Sequence, residues 1–133
     1  CDPYAADVVL RCGAPVTLTP LDATNQVPLT DELVQRLAAG PATPASQFTL
    51  RAIRRIRPLL RGQAFSLWDP LAAVVAVQPE IVACEQQRVG VVQEPGRELG
   101  RIVGDESGGA ADIALQVDRP AFEHLFISSL TGG

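Results

Sequence analysis

Apolar and polar positions alternate between two periods along this chain, and the switches mark its elements. Asp2-Pro3 opens a predicted helix in which Ala5, Ala6, Val9 and Leu10 supply apolar positions, and Gly13 stops it. From Pro15 to Asp22 the period falls to two: Val16 and Leu18 point one way, Thr17 and Thr19 the other. That is a strand, broken early by Pro20. Thr30 caps a short helix with Asp31 and Glu32 in its first turn and Gly40 at its end. Residues 40–45 read as a loop. Ser46 then caps a helix with Leu50, Ile53, Ile56 and Leu60 at three- and four-residue steps, which Pro58 should kink or end.

Residues 71–77 are almost wholly apolar and predict a buried helix ending near Pro79. The remainder reads mainly as β: strands over 88–93 and 101–104, then Ile113, Leu115 and Val117 alternating with Asp112, Ala114 and Gln116. Ser107-Gly108-Gly109 reads as a flexible turn between them. Asp118 caps a final helix with Phe122, Leu125, Phe126 and Leu130 on one stripe. Helices and strands interleave without a repeat or a visible boundary, so the fold class is α/β in one segment, residues 1–133.

Composition narrows the function classes. The chain has 133 residues, 47% hydrophobic and 20% charged, with a formal net charge of −4. A folded globular protein fits these values, and the acidic balance gives no reason to expect nucleic acid as a partner. No apolar run approaches a membrane span, and no signal peptide is visible. Cys1, Cys12 and Cys84 form no metal-ligand spacing, and an odd count without a framework suits a reducing cytoplasm. The chain contains no methionine and starts at Cys1, and on that basis reads as a carboxy-terminal piece of something longer.

Candidate chemistry concentrates in Trp68-Asp69-Pro70. Asp69 is a candidate N-cap with Pro70 at the first helical position. The same pair could present a carboxylate to a metal and a flat ring to a planar ligand. The residues alone leave both readings open. Asp22 and Thr24 follow a strand, where open sheets place their sites, but a turn explains them and they receive no catalytic role. His124 reads as a partly buried structural residue. Arginines 51, 54, 55, 57 and 61 interleave with Leu50, Ile53 and Ile56 as one solvated helix face. Tyr4 is unassigned. No phosphate loop, Ser/His/Asp order, CxxC or acidic pair of the glycosidase kind is present.

Three segments, in order, resemble the carboxy-terminal part of the inosine–uridine-preferring nucleoside hydrolase family. They are Asp2-Pro3-Tyr4-Ala5-Ala6 running to Gly13, Val16 to Asn25 with Pro20-Leu21-Asp22-Ala23-Thr24, and Leu67-Trp68-Asp69-Pro70-Leu71-Ala72. The last is similar to the family's Leu-His-Asp-Pro-Leu-Ala, and residues 89–105 match more weakly. The resemblance implies an open mixed sheet flanked by helices and a calcium-dependent enzyme. Such an enzyme cleaves the N-glycosidic bond of ribonucleosides to free base and ribose. It implies calcium (Ca2+) as cofactor with Asp69 as one ligand, the others coming from an aspartate-rich amino-terminal loop that these 133 residues do not contain. Trp68 stands where the family has a histidine, and resembles the purine-preferring branch, in which a tryptophan stacks on the base. It is the implied substrate-binding residue, and no catalytic residue is assigned.

The expectation is therefore the carboxy-terminal segment of a purine nucleoside hydrolase, inactive by itself, in need of an amino-terminal half or of self-association. The alternative is a non-catalytic, truncated relative that acts as an interaction or structural module. No nucleic-acid or membrane partner is expected.

Overall fold

The computed structural model describes residues 2–60 and 62–133. Cys1, and Arg61 of the arginine face, lie outside them. The chain divides into two compact units, one of residues 1–20 and 84–115, the other of residues 21–83 and 116–133.

The first unit holds helix α1 (Pro3–Arg11), strand β1 (Thr17–Leu18) and strand β3 (Ile102–Gly104), together with most of β2 (Val82–Val91) and β4 (Gly109–Val117). The sheet runs β1-β4-β2-β3 and is mixed. β1 pairs parallel to β4, with Thr17 opposite Asp112, and β2 pairs antiparallel to β3, with Val89 opposite Gly104. Leu10 of α1 joins Val89, Val91 and Ala111 in the core, with Val16, Leu18 and Ile113 packed against it. The alternation of Val16 and Leu18 toward one side is thus as expected. The strand is shorter than its pattern, because Pro20 removes a ladder donor and residues 21–24 coil into a helical turn.

α1 starts as the sequence predicts. Asp2 accepts from the Ala5 N–H at 3.0 Å, Pro3 is the first helical residue, and Gly13 follows the Cys12 C-cap with φ +79°. The turn at Ser107-Gly108-Gly109 differs from expectation. It is packed rather than loose: a Cβ on Gly109 would lie 1.7 Å from the Leu10 carbonyl oxygen, and one on Gly108 would lie 2.1 Å from that of Val89. Both glycines are there for close approach of backbone to backbone.

The second unit is mostly helical. It holds α2 (Leu21–Thr24), α3 (Asp31–Ala39), α4 (Pro44–Leu60), α5 (Trp68–Val77), a 3₁₀ turn (Pro79–Ile81) and α6 (Arg119–Thr131). α6 packs against α3, α4 and α5, and Phe122 and Phe126 stack within it with centroids 6.0 Å apart. Thr30 and Asp118 are the N-caps expected of them, accepting from Leu33 at 3.2 Å and Ala121 at 3.0 Å.

α4, α5 and α6 differ from expectation in detail. α4 begins earlier than Ser46, at Pro44, because Thr43 is its cap. The Thr43 Oγ1 accepts from the Ser46 N–H at 3.1 Å, and the Ser46 Oγ accepts from the Thr43 N–H at 3.0 Å, a reciprocal capping box. Pro58 lies inside α4, two residues from its end. α5 is buried only at Leu71 and Val75, and Val77 is exposed. His124 is exposed rather than partly buried, since α6 turns Glu123 inward beside it. Among the described residues no helix is long and apolar enough to cross a membrane.

Candidate functional site

The Trp68-Asp69 motif is set by the two residues before it. The segment Phe65-Ser66-Leu67 lies antiparallel to Val27-Pro28-Leu29, with a bridge between Pro28 and Ser66. The Leu29 N–H donates to the Phe65 carbonyl at 2.8 Å, and the Leu67 N–H to the Val27 carbonyl at 3.0 Å. Ser66 and Leu67 are buried. With Leu67 fixed in this way, its carbonyl receives the Leu71 N–H at 3.0 Å and the helix starts two residues earlier than expected.

Asp69 is therefore not the N-cap. Leu67 holds that position without a side-chain bond, Trp68 is the first helical residue, and Asp69 and Pro70 are the second and third. The missing N–H of Pro70 falls among the first-turn donors that have no intrahelical acceptor in any case. Freed from capping, the Asp69 carboxylate is exposed, and among the described residues it makes no hydrogen bond or ion pair. It stands in the first turn, at the positive end of the α5 dipole.

Trp68 is 39% exposed, so it is not core. Its ring meets Phe65 edge-on, with centroids 4.6 Å apart and planes at 67°. α2, which carries Asp22 and Thr24, packs against α5. Asp22 is exposed, whereas Thr24 is buried and its Oγ1 has no hydrogen-bond partner among the described residues.

Among the described residues no group of three or more His, Cys, Asp or Glu is placed to hold a metal ion. Calcium takes six to eight oxygen ligands. Asp69 has the right chemistry for one of them, a hard and uncommitted carboxylate, but these residues do not make a calcium site by themselves.

A second polar cluster, missed from the sequence, lies in the first unit. Arg11 donates through Nε to Asp7 at 2.8 Å, through Nη2 to Asp105 at 2.8 Å and through Nη1 to the Ser107 carbonyl at 2.7 Å. The Arg11 bond holds Asp7 below the usual carboxylate range against partial desolvation. The Ser107 hydroxyl, then Arg11, does the same for Asp105. All three nitrogens of the guanidinium donate, so the cluster ties α1 to the turn after β3. The Asp7–Arg11 spacing of four was legible as a helical pair. Its partners lie some ninety residues away and leave no local signal.

Comparison with known proteins bears on the whole chain. The model of the inosine-uridine preferring nucleoside hydrolases matches residues 1–124. A pyrimidine-specific ribonucleoside hydrolase RihA from Shewanella baltica is 29% identical over 97% of this chain and 43% of its own length. A purine-preferring ribonucleoside hydrolase from Gardnerella vaginalis is 33% identical, with a TM-score of 0.73, covering 98% of this chain and 44% of that one. A plant nucleoside hydrolase, the PpNRh1 enzyme, shares the fold at a TM-score of 0.85 and 23% identity, covering 99% of this chain and 46% of that one. The chain thus spans less than half the length of the relatives it matches.

Proposed function

Because the chain belongs to the inosine-uridine preferring nucleoside hydrolase family, we propose that it carries one corner of a site that hydrolyses the N-glycosidic bond of ribonucleosides. The products are free base and ribose. One observation carries this reading: a half-exposed indole and an uncommitted carboxylate sit on adjacent residues in the first turn of α5. Neither is needed to start the helix.

Trp68 binds the base by stacking and orients it for departure. A purine is the preferred base in this reading, since its two-ring face matches the indole and its ring can take up a proton as the bond breaks. The 33% identity to a purine-preferring hydrolase supports that choice, while the pyrimidine-specific name of other relatives is the competing one. Asp69 contributes a carboxylate to a calcium site completed by residues outside these 133. Bound calcium would supply positive charge at the ribose hydroxyls. The exposed Cys12 and Cys84, neither in a disulfide, fit a reducing cytoplasm. The test joins this chain to the amino-terminal half of a family enzyme and follows ribose release from inosine with calcium. Asp69→Asn lowers the rate at least about tenfold. A rate within twofold overturns the ligand role.

A second reading rests on a different observation. In the first unit a cleft of about 320 Å³ is lined by Ala5, Ala6, Val9, Leu10, Val16 and Ile102, with no charged residue among its walls. Tyr4, Val8 and Leu99 are exposed apolar side chains of the same unit. This favours a non-catalytic module whose apolar face pairs with another chain or with itself. Sedimentation velocity separates the cases: association lost in Val9→Glu supports the module, and a monomer at all concentrations counts against it.

A further inference from the structure

We infer that Phe65 is a positioning residue for the base site, holding the Trp68 indole in the orientation on which a purine stacks. The inference rests on the reading of Trp68 as the base platform and adds the residue that sets its geometry. Trp68 stands at the first helical position of α5 and is 39% exposed. Among the described residues its indole N–H has no acceptor. An exposed indole without a polar tether is free to change rotamer, and a platform that must be ordered on binding loses affinity to that ordering.

Phe65 removes this freedom. Its ring meets Trp68 edge-on at 4.6 Å and 67°, the arrangement that aromatic quadrupoles favour. Phe65 is itself fixed, because its carbonyl accepts the Leu29 N–H at 2.8 Å and the next residue bridges to Pro28. The chain of restraint therefore runs from the Val27–Leu29 segment through Phe65 to the indole. A two-ring base overlaps more of an oriented indole than a one-ring base, so Phe65 contributes to the choice of purine over pyrimidine.

Trp68 is the only tryptophan, so its fluorescence reports this site alone. The test titrates the 133-residue chain with hypoxanthine and with uracil, and records the indole band in near-ultraviolet circular dichroism. The wild type shows saturable quenching by hypoxanthine, weaker quenching by uracil and a defined indole band. Phe65→Leu weakens hypoxanthine binding about three- to tenfold and flattens the band, and Phe65→Tyr retains both. Phe65→Met, equally apolar and ringless, serves should the leucine variant not fold. Hypoxanthine binding that is unchanged in folded Phe65→Leu or Phe65→Met overturns the positioning role and leaves Trp68 as the platform. A wild type that hypoxanthine does not quench overturns the platform reading, and this inference with it.

Discussion

Asp7 on α1 accepts the backbone N–H of Val91 on β2 through Oδ1 at 3.2 Å, while its Oδ2 takes the Arg11 Nε at 2.8 Å. One carboxylate thus joins the helix to the sheet, and Arg11 extends the link to Asp105 and Ser107. Replacing Asp7 with alanine leaves the Val91 N–H and one guanidinium edge without an acceptor in a nearly closed space. The expected result is a fall in melting temperature of several degrees. Asp7→Asn, which keeps an oxygen for Val91 and loses the ion pair, falls less. Equal melting temperatures for wild type and Asp7→Ala would show that this link does not stabilise the fold.

The same cluster sets an acid limit. Asp7 and Asp105 titrate below the usual carboxylate range, through Arg11 and Ser107 respectively. Burial pushes Glu123 up, but its bonds from Arg119 and Arg36 outweigh that, and it too is lowered. The unfolded chain therefore takes up protons on these groups at higher pH than the folded one does. Their contribution is complete above the ordinary carboxylate pKa, near about 4, and is lost as pH falls through the folded values. The urea midpoint should hold steady through neutral pH and drop on acidification. The drop should be smaller in Arg11→Gln, which has less paired charge to lose.

The turn before β4 predicts a sharp contrast between two glycines. Gly109→Ala drives a methyl group into the Leu10 carbonyl, 1.7 Å away, and is expected to cost on the order of 3 kcal/mol. Gly104→Ala meets open space and should change stability by less than about 0.5 kcal/mol. Chemical denaturation of both variants measures the difference.

The capping box of α4 gives a further measurable value. Thr43→Ala removes the acceptor of the Ser46 N–H and a donor to the Leu130 carbonyl, and should cost about 1–2 kcal/mol. A cost near zero would mean that α4 is held by packing alone.

These elements show what the sequence carried and what it did not. Asp2, Thr30 and Asp118 were readable as caps because each acts on a backbone N–H three residues ahead, within one turn. The same rule failed at Asp69 because Leu67 is held by Val27, forty residues earlier, and this moved the start of α5. It failed at Ser46 because Thr43 answers it reciprocally. Gly108 and Gly109 were visible as glycines, but a flexible turn and a backbone contact look alike in one dimension. At the site, Trp68 and Asp69 stood out by adjacency. Phe65 did not, since nothing local tells a half-buried phenylalanine from one that braces another ring.

The isolated chain should release no ribose from inosine or uridine, with or without calcium. Asp69 brings one carboxylate to an ion that takes six to eight oxygens, and among the described residues no group of three or more His, Cys, Asp or Glu is placed to hold a metal ion. A reducing-sugar assay checks this, and measurable calcium-dependent turnover would contradict it.

The proposed binding of the base by Trp68 is measured most directly by kcat/KM for inosine and for uridine. It uses this chain joined to a family amino-terminal half, with Trp68 intact and as Trp68→Leu. Loss of a stacked ring should lower the inosine value roughly ten- to a hundredfold, and the uridine value by much less. An inosine value within twofold of wild type, or an equal loss for both nucleosides, would show that Trp68 does not stack on the base.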